Sequence, residues 1–347
     1  MNITRETFEL QRRPRFGTAN PERMQVAFWE WMIRGGRTPF GTNNNSHDQV
    51  PSTAEKGVRP KGHWPHEARA FFNVSHPDDG GPIWTFERFG ATRTELPDGR
   101  IVYIAGEHED FYDPDFCIYN DVVVFTPAGG IEIYGYPVEI FPATDFHTAT
   151  LVEEQIVIVG NLGYMAERRF GHTPVFALDA KNYQITEMET SGMMPGWLSK
   201  HSAELSPEGE IIIQGGQFIV QEGGKQTYKR NTEEYVLNLQ SRVWRQTTNR
   251  RWPTYTISPE DGGLFVLERD LKMRDLVPST TTSPAAEAGR KARFLVDGVA
   301  VFVRIGPKEI EVTIEGDLPS ELASKVVEKI RLNAEAAIKK PCVAERI

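Results

Sequence analysis

The sequence predicts a mainly β fold: a small propeller of about four blades, followed by a C-terminal ββα module. Three observations carry this reading. An alternating segment, a tight turn and a β-branched run ending at glycine recur over 90–106, 147–160 and 201–216. Leu96, Leu151 and Leu205 mark the first run of each unit, 55 and 54 residues apart, and Gly106, Gly160 and Gly215 close the second run at 54 and 55. No strand–helix alternation appears over this stretch, which argues against a parallel α/β sheet. A fixed period of this size is the mark of stacked supersecondary units.

The chain opens with a polar segment, 1–17, containing Arg5, Arg12, Arg13 and Arg15; it lacks the apolar centre of a signal peptide. A helix is expected over 21–34, with Asn20 as cap, Pro21 in the first turn and Gly35-Gly36 as stop. Met24, Ala27, Phe28, Trp31 and Met32 would form its apolar face, turned either to the fold or to a partner. Residues 37–80, rich in Asn, His, Pro and Gly, read as irregular cover, so that 1–81 forms one N-terminal segment.

The repeat region spans 82–270. Its turns are Pro97-Asp98-Gly99, Glu153-Glu154 and Pro207-Glu208-Gly209, where glycine supplies the positive φ of a hairpin turn. Third runs follow at 122–125, 175–178 and 235–237, and fourth runs at 131–134, 183–185 and 243–245. Four strands in about 50 residues, repeated, describe propeller blades. Residues 83–87 look like a fourth strand without its first three. Residues 254–257 and 264–267 look like first and second strands without a continuation. Joined, they would make a composite blade that removes exposed sheet edges.

Residues 271–292 read as a linker, with 278–291 rich in Thr, Ser, Ala and Pro. In 293–347, strand-like runs at 293–296, 299–305 and 309–314 precede a helix starting at Pro319 or Ser320. Leu322, Val326, Ile330 and Ala334 recur every four residues along it. So small a module buries little core alone and should dock or dimerise.

Composition excludes several classes. Of the 347 residues, 39 are basic and 48 acidic, for a net charge of −9, which argues against nucleic acid as a partner. Cys117 and Cys342 alone make neither a disulfide framework nor a cysteine-rich zinc site. No run reaches the 18 to 20 apolar residues of a membrane helix, so no membrane partner and a cytoplasmic location are expected.

The chemistry concentrates in one loop: Glu107, His108, Glu109, Asp110, Phe111, Tyr112, Asp113, Pro114 and Asp115. In a propeller, loops after second strands share a face with the entries to first strands. The loop should therefore meet Asp145, His147 and His201 at a central mouth, with Asn161, Tyr164 and Gln217 after the second and third glycines. Glu107, His108, Glu109, Asp110, Asp145, His147, Asn161, Tyr164, His201 and Gln217 form the expected ligand-binding set. A divalent metal would use His108, Glu109, Asp113, Asp115 and His147. Histidine with carboxylates suits Zn, Fe or Mn, and carboxylates alone suit Ca or Mg. A His–Glu pair also suits proton transfer. The bland alternative is that His147 and His201, at equivalent positions, each hydrogen-bond a neighbouring blade. Gly215-Gly216 is no phosphate loop, since no Lys-Ser/Thr follows, and Ser202 lacks the elbow of an esterase nucleophile.

The repeat units resemble kelch repeats. The third is nearest, with Gly215-Gly216, then Tyr235-Val236-Leu237-Asn238, then Trp244. The second has Leu178-Asp179 seven residues before Ile185 but Gly160-Asn161 in place of the glycine pair. The first has Asn120-Asp121 but Ala105-Gly106 in place of the pair, and Ile131 where Trp is expected. The resemblance covers 82 to about 268 and implies a kelch-type β-propeller. Kelch propellers include actin binders, substrate adaptors, oxidases, mutarotases and metal-dependent specifier proteins, so it implies no single activity. The expectation is a non-catalytic binding protein with a protein or small-molecule ligand at the mouth. The other reading is a metal-dependent lyase, isomerase or hydrolase using 107–115 with His147 and His201.

Overall fold

Each of the three repeats folds into a four-stranded antiparallel meander. The computed structural model describes residues 3–35, 65–74, 81–108, 113–249, 252–263, 265, 276, 286–288, 290–306 and 308–346. Sheet 1 comprises Thr92–Glu95, Ile101–Ile104, Val122–Phe125 and Ile131–Gly135. Sheet 2 comprises Thr148–Val152, Gln155–Val159, Val175–Asp179 and Ile185–Glu187. Sheet 3 comprises Ser202–Leu205, Glu210–Gln214, Glu234–Asn238 and Val243–Gln246. Strands pair in chain order in all three. Gly99 and Gly209 close the first hairpins of sheets 1 and 3 at φ 83 and 78, whereas sheet 2 uses Glu153 at φ 53.

Period-2 alternation decides how the sheets stack. Val102, Ile104, Val122 and Val124 of sheet 1 share one core with Ile156, Ile158, Phe176 and Leu178 of sheet 2. The intervening residues Val157, Val159 and Val175 turn the other way, onto Ile211, Ile213, Leu237 and Trp244 of sheet 3. Sheet 2 is thus apolar on both faces. Each buried aliphatic side chain stabilises the stack by roughly 1.5–3 kcal/mol. The first strands of sheets 1 and 2, and of sheets 2 and 3, lie in contact.

Short strands cover two outer edges: Glu22–Arg23 pairs antiparallel with the fourth strand of sheet 1, and Ser191–Gly192 parallel with that of sheet 3. Two small sheets form beside these, built mainly from the connections between second and third strands. Glu107–His108 pairs with Cys117–Ile118, and Trp197–Ser199 joins the hairpin Gln217–Glu222/Lys225–Arg230.

The other face of sheet 1 packs on helices. They are α1 (Arg5–Gln11), α2 (Ala27–Gly35) and α3 (Pro65–Phe71). Thr4 caps α1 by accepting from Thr7 N at 3.2 Å. Phe8, Phe28, Trp29, Met32 and Trp84 bury against Val123 and Ile133. The helix expected over 21–34 begins only at Ala27. Glu22 and Arg23 are taken by the sheet edge, and Asn20 bonds both backbone groups of Ile185 at 2.7 and 2.9 Å instead of capping.

Residues 83–87 form no strand. Trp84 N bonds Arg12 O at 2.7 Å, and the Trp84 indole donates to Asp121 Oδ2 at 2.7 Å. Arg88 forms an ion pair with Asp121, both side chains buried, and its guanidinium lies 3.5 Å from the Tyr119 ring centroid. Residues 254–257 make no blade with this segment either. Thr254–Pro259 lies between Ile310–Glu315 and Cys342–Arg346, with Tyr255 opposite Val312 and Ile257 opposite Ile310. Residues 264 and 266–267 lie outside the described residues.

The chain divides into two compact units, with a boundary between Thr248 and Asn249. The C-terminal unit is one antiparallel sheet ordered Ala286–Ala288, Lys291–Val296, Val299–Ile305, Ile310–Glu315, Thr254–Pro259, Cys342–Arg346. Its first strand falls inside the expected linker. Helix α4 (Ser320–Ile338) contributes Ala323, Val326, Val327, Ile330, Ala334 and Ile338 to that unit's core. Among the described residues no helix is long and apolar enough to cross a membrane.

Candidate functional site: a buried carboxyl pair

Each repeat sheet is entered through a left-handed residue, at Gly90 (φ 62), Phe146 (φ 48) and Lys200 (φ 59). This kink swings the chain from the preceding connection into the first strand. At Gly90 a Cβ would fall 2.5 Å from Phe146 N, so glycine alone fits there. The residues just before the kinks, Phe89, Asp145 and Ser199, meet the exits of second strands. Phe89 bridges Glu107, Asp145 O accepts from Leu162 N at 3.0 Å, and Ser199 pairs with Gln217. The fold thus brings second-strand exits and first-strand entries to one end of the sheets.

Asp145 occupies that end and is fully buried. Its amide donates to Asn161 Oδ1 at 3.0 Å, and its Oδ1 accepts from Gly163 N at 2.6 Å. No N–H or hydroxyl among the described residues reaches its Oδ2. The carboxyl of Glu107 lies within hydrogen-bonding reach of the Asp145 carboxyl. Burial raises the Asp145 pKa above the usual carboxylate value, opposed by the Gly163 N–H, Glu107, Lys200 and Arg168. Like charges in so poorly solvated a place oppose each other's ionisation.

Two cations flank the pair. Lys200 Nζ lies 4.1 Å from the Phe146 ring centroid. Arg168 donates to Leu162 O at 2.9 Å, Gly163 O at 3.0 Å and Gln226 Oε1 at 2.7 Å, tying the loop that grips Asp145 to the neighbouring hairpin. The Trp197 indole fixes Leu162 O from another side at 3.0 Å.

The other expected residues have different roles. His147 Nε2 bonds Thr92 Oγ1 at 2.8 Å, and His201 Nε2 bonds Thr148 Oγ1 at 2.9 Å. Each ring joins its own sheet to the preceding one. Both are buried, and burial pushes each pKa down to about 3. His108 is buried as well, with its pKa lowered to about 4 by desolvation, against the pull of Asp115. Asp115 is held by Arg69 of α3 at 2.9 and 3.1 Å. The half-buried Asp113 accepts from Phe116 N through its carbonyl at 3.0 Å. Glu109 and Asp110 lie outside the described residues.

Of the expected metal set His108, Glu109, Asp113, Asp115 and His147, Glu109 lies outside the described residues and two others are engaged elsewhere. Its histidine His147 is bonded to a threonine and its carboxylate Asp115 to an arginine. Among the described residues no group of three His, Cys, Asp or Glu side chains could hold a metal ion. Asn161 serves the scaffold, with Nδ2 on Ala143 O at 2.9 Å. The Tyr164 hydroxyl accepts from Ile118 N at 2.8 Å, and its ring meets Phe116 edge-on at 5.7 Å. Gln217 is a strand residue between Ser199 and Arg230.

Of the ten expected ligand residues, the structure thus joins Glu107 and Asp145, with Asn161 as support. Sequence reasoning missed Lys200 and Arg168. The signal for Lys200 was its place: it occupies the entry position held by Gly90 and Phe146 in the other repeats. Arg168 sits in an irregular loop and carried no signal.

No family model and no curated protein matches the chain. Among solved structures there is a likeness to one titled "Structure of YjhT", at 11% identity, covering 68% of this chain and 67% of that chain, with a TM-score of 0.32. A likeness at that TM-score carries no argument about fold or activity.

Proposed function

We propose that the chain is a non-catalytic binding protein built on a kelch-like propeller, with a polar ligand received at the mouth where Glu107 and Asp145 meet. One observation supports this reading: a fully buried carboxyl, Asp145, meets a second, Glu107, where strand exits and entries converge. Two carboxyls brought together in a buried place call for an explanation, and a ligand that meets them is one. A few convergent polar groups at the meeting of loops are what a ligand site needs. The Nε2 atoms of His147 and His201 bond threonines, which favours the binding reading over a lyase, isomerase or hydrolase that would use these rings.

The test is a thermal-shift screen of small polar compounds against the parent, Asp145→Asn and Glu204→Gln. Glu204 is exposed on the first strand of sheet 3 and serves as control. Hits should keep their shift in Glu204→Gln and lose it in Asp145→Asn. Hits indifferent to Asp145→Asn would place the ligand elsewhere and end this reading.

A further inference from the structure

We infer that the outer strand of the hairpin Gln217–Glu222/Lys225–Arg230 is a docking edge for an extended acidic peptide, which adds to it as a further strand. The inference concerns a different surface from the carboxyl pair and does not depend on the reading above. Three observations lead to it.

First, the edge is open. Among the described residues Lys225–Arg230 pairs with Gln217–Glu222 alone and ends the order of its sheet. The repeat sheets, in contrast, have their outer edges occupied. Glu22–Arg23 covers sheet 1 and Ser191–Gly192 covers sheet 3, while Asn20 bonds both backbone groups of Ile185 on the outer strand of sheet 2. The six residues of the open strand offer a run of about 20 Å.

Second, the register of the hairpin decides which main-chain groups face out. Gly223 and Gly224 have φ 55 and 77, the two left-handed residues of a type I′ turn. Glu222 and Lys225 close that turn as a hydrogen-bonded pair. Alternation then directs the main-chain groups of Lys225, Thr227 and Lys229 to the partner strand, and those of Gln226 and Tyr228 outwards. A Cβ at either glycine would meet nothing within 4 Å, so the turn projects into open space.

Third, charge selects the occupant. The strand carries Lys225, Lys229 and Arg230 and no acid. Lys225 and Lys229 are exposed and share one face. Among the described residues only Glu222, through its ion pair with Lys229, answers these two lysines. The other face is held in place by Gln226, which accepts from Arg168 at 2.7 Å and donates to Met165 O at 2.9 Å. Tyr228 and Met165, 44% and 60% exposed, offer apolar surface there. A second copy of this strand is a poor occupant, because cations would oppose cations across the new pairing. A peptide alternating acidic and apolar residues sets carboxylates against Lys225 and Lys229 and its apolar side against Tyr228 and Met165. Main-chain bonds to the edge supply the affinity, as in other strand additions.

The experiment follows the fluorescence anisotropy of a labelled peptide of alternating glutamate and valine, long enough to pair with all of Lys225–Arg230, on titration with the full-length protein. Two controls are the same peptide with a central proline and one alternating lysine and valine. The first peptide should bind saturably and neither control should. Lys225→Glu, at an exposed position, should weaken binding about fivefold, the scale of an exposed ion pair. Tyr228→Ala keeps the outward N–H and should retain saturable binding. Tyr228→Pro removes that N–H without taking a bond from the ladder and should abolish binding. Equal binding of the proline-containing peptide would overturn the inference, since strand addition would not be the mode, and this control does not depend on how the variants fold. Equal binding of the lysine peptide, or no saturable binding of the glutamate peptide, would overturn it too. So would sedimentation showing a dimer of the parent that Tyr228→Pro abolishes, because a second copy would then hold the edge.

Discussion

Acidification should unlock the repeat sheets through His147 and His201, and the size of the effect follows from their burial. Both rings are neutral in the folded state, with pKa lowered from the ordinary 6.5 to about 3. In the unfolded chain they take up protons below about pH 6.5. The unfolded state therefore binds more protons, and stability is lost as pH falls from 6.5 towards 3. At pH 5 each histidine costs about 2 kcal/mol, from 1.36 kcal/mol per pH unit over about 1.5 units. The pair costs about 4 kcal/mol, a large share of a typical 5–15 kcal/mol stability. Few carboxylates titrate in the unfolded chain above pH 5, so the interval from 7 to 5 isolates the histidines. Urea unfolding followed by near-ultraviolet circular dichroism at pH 7, 6 and 5 measures it. The double variant His147→Gln, His201→Gln keeps a donor towards Thr92 and Thr148 but cannot titrate. It should lose about 4 kcal/mol less than the parent between pH 7 and 5. Equal losses in parent and variant would refute the claim that these rings are buried and neutral. His108, lowered to about 4, titrates in both proteins and cancels from the comparison.

Three further outcomes follow from packing and burial. Arg88→Ala should destabilise the N-terminal unit by about 3–5 kcal/mol in urea unfolding, because it strands the buried Asp121 carboxylate; a loss below about 1 kcal/mol, the exposed-pair value, would contradict that burial. Trp244→Ala should cost about 3–5 kcal/mol by the same measurement, whereas Val243→Ala, one residue away and exposed, should change stability by less than about 0.5 kcal/mol. The thiols of Cys117 and Cys342, each pushed up to about 11 by burial, should react with a thiol-specific disulfide reagent at pH 8 far more slowly in the native protein than in urea; equal rates would show them accessible.

The strands of the three repeats were legible because their signals are local. Period-2 β-branched runs, bounded by Asp98-Gly99 or Glu208-Gly209, allow one register and one face. Helix α4 was legible for the same reason, through Val326, Ile330 and Ala334 at four-residue spacing. What the sequence hid was long-range pairing. Thr254–Pro259 has the pattern of a blade strand, yet its apolar residues are satisfied equally well by Ile310 and Val312, and pattern alone cannot choose a partner. Likewise 21–26 shares a helical stripe with α2, but Asn20 found Ile185, 165 residues away, and Glu22–Arg23 found a free sheet edge.

The candidate site divides along the same line. Asp145 was legible from its repeat position, since entries and exits of equivalent strands must meet at one end. The fate of His147 and His201 depended on a threonine in the preceding sheet, which only their equivalence hinted at. Lys200 and Arg168 contribute through charge and loop anchoring, properties with no period to read.

The meeting of Glu107 and Asp145 is tested most directly by a double-mutant cycle on stability, using Glu107→Gln, Asp145→Asn and both together. Carboxyls in contact predict non-additivity of about 0.5–3 kcal/mol, of either sign. Effects that add within about 0.3 kcal/mol would mean the two groups do not touch, and the proposed site would lose its chemistry.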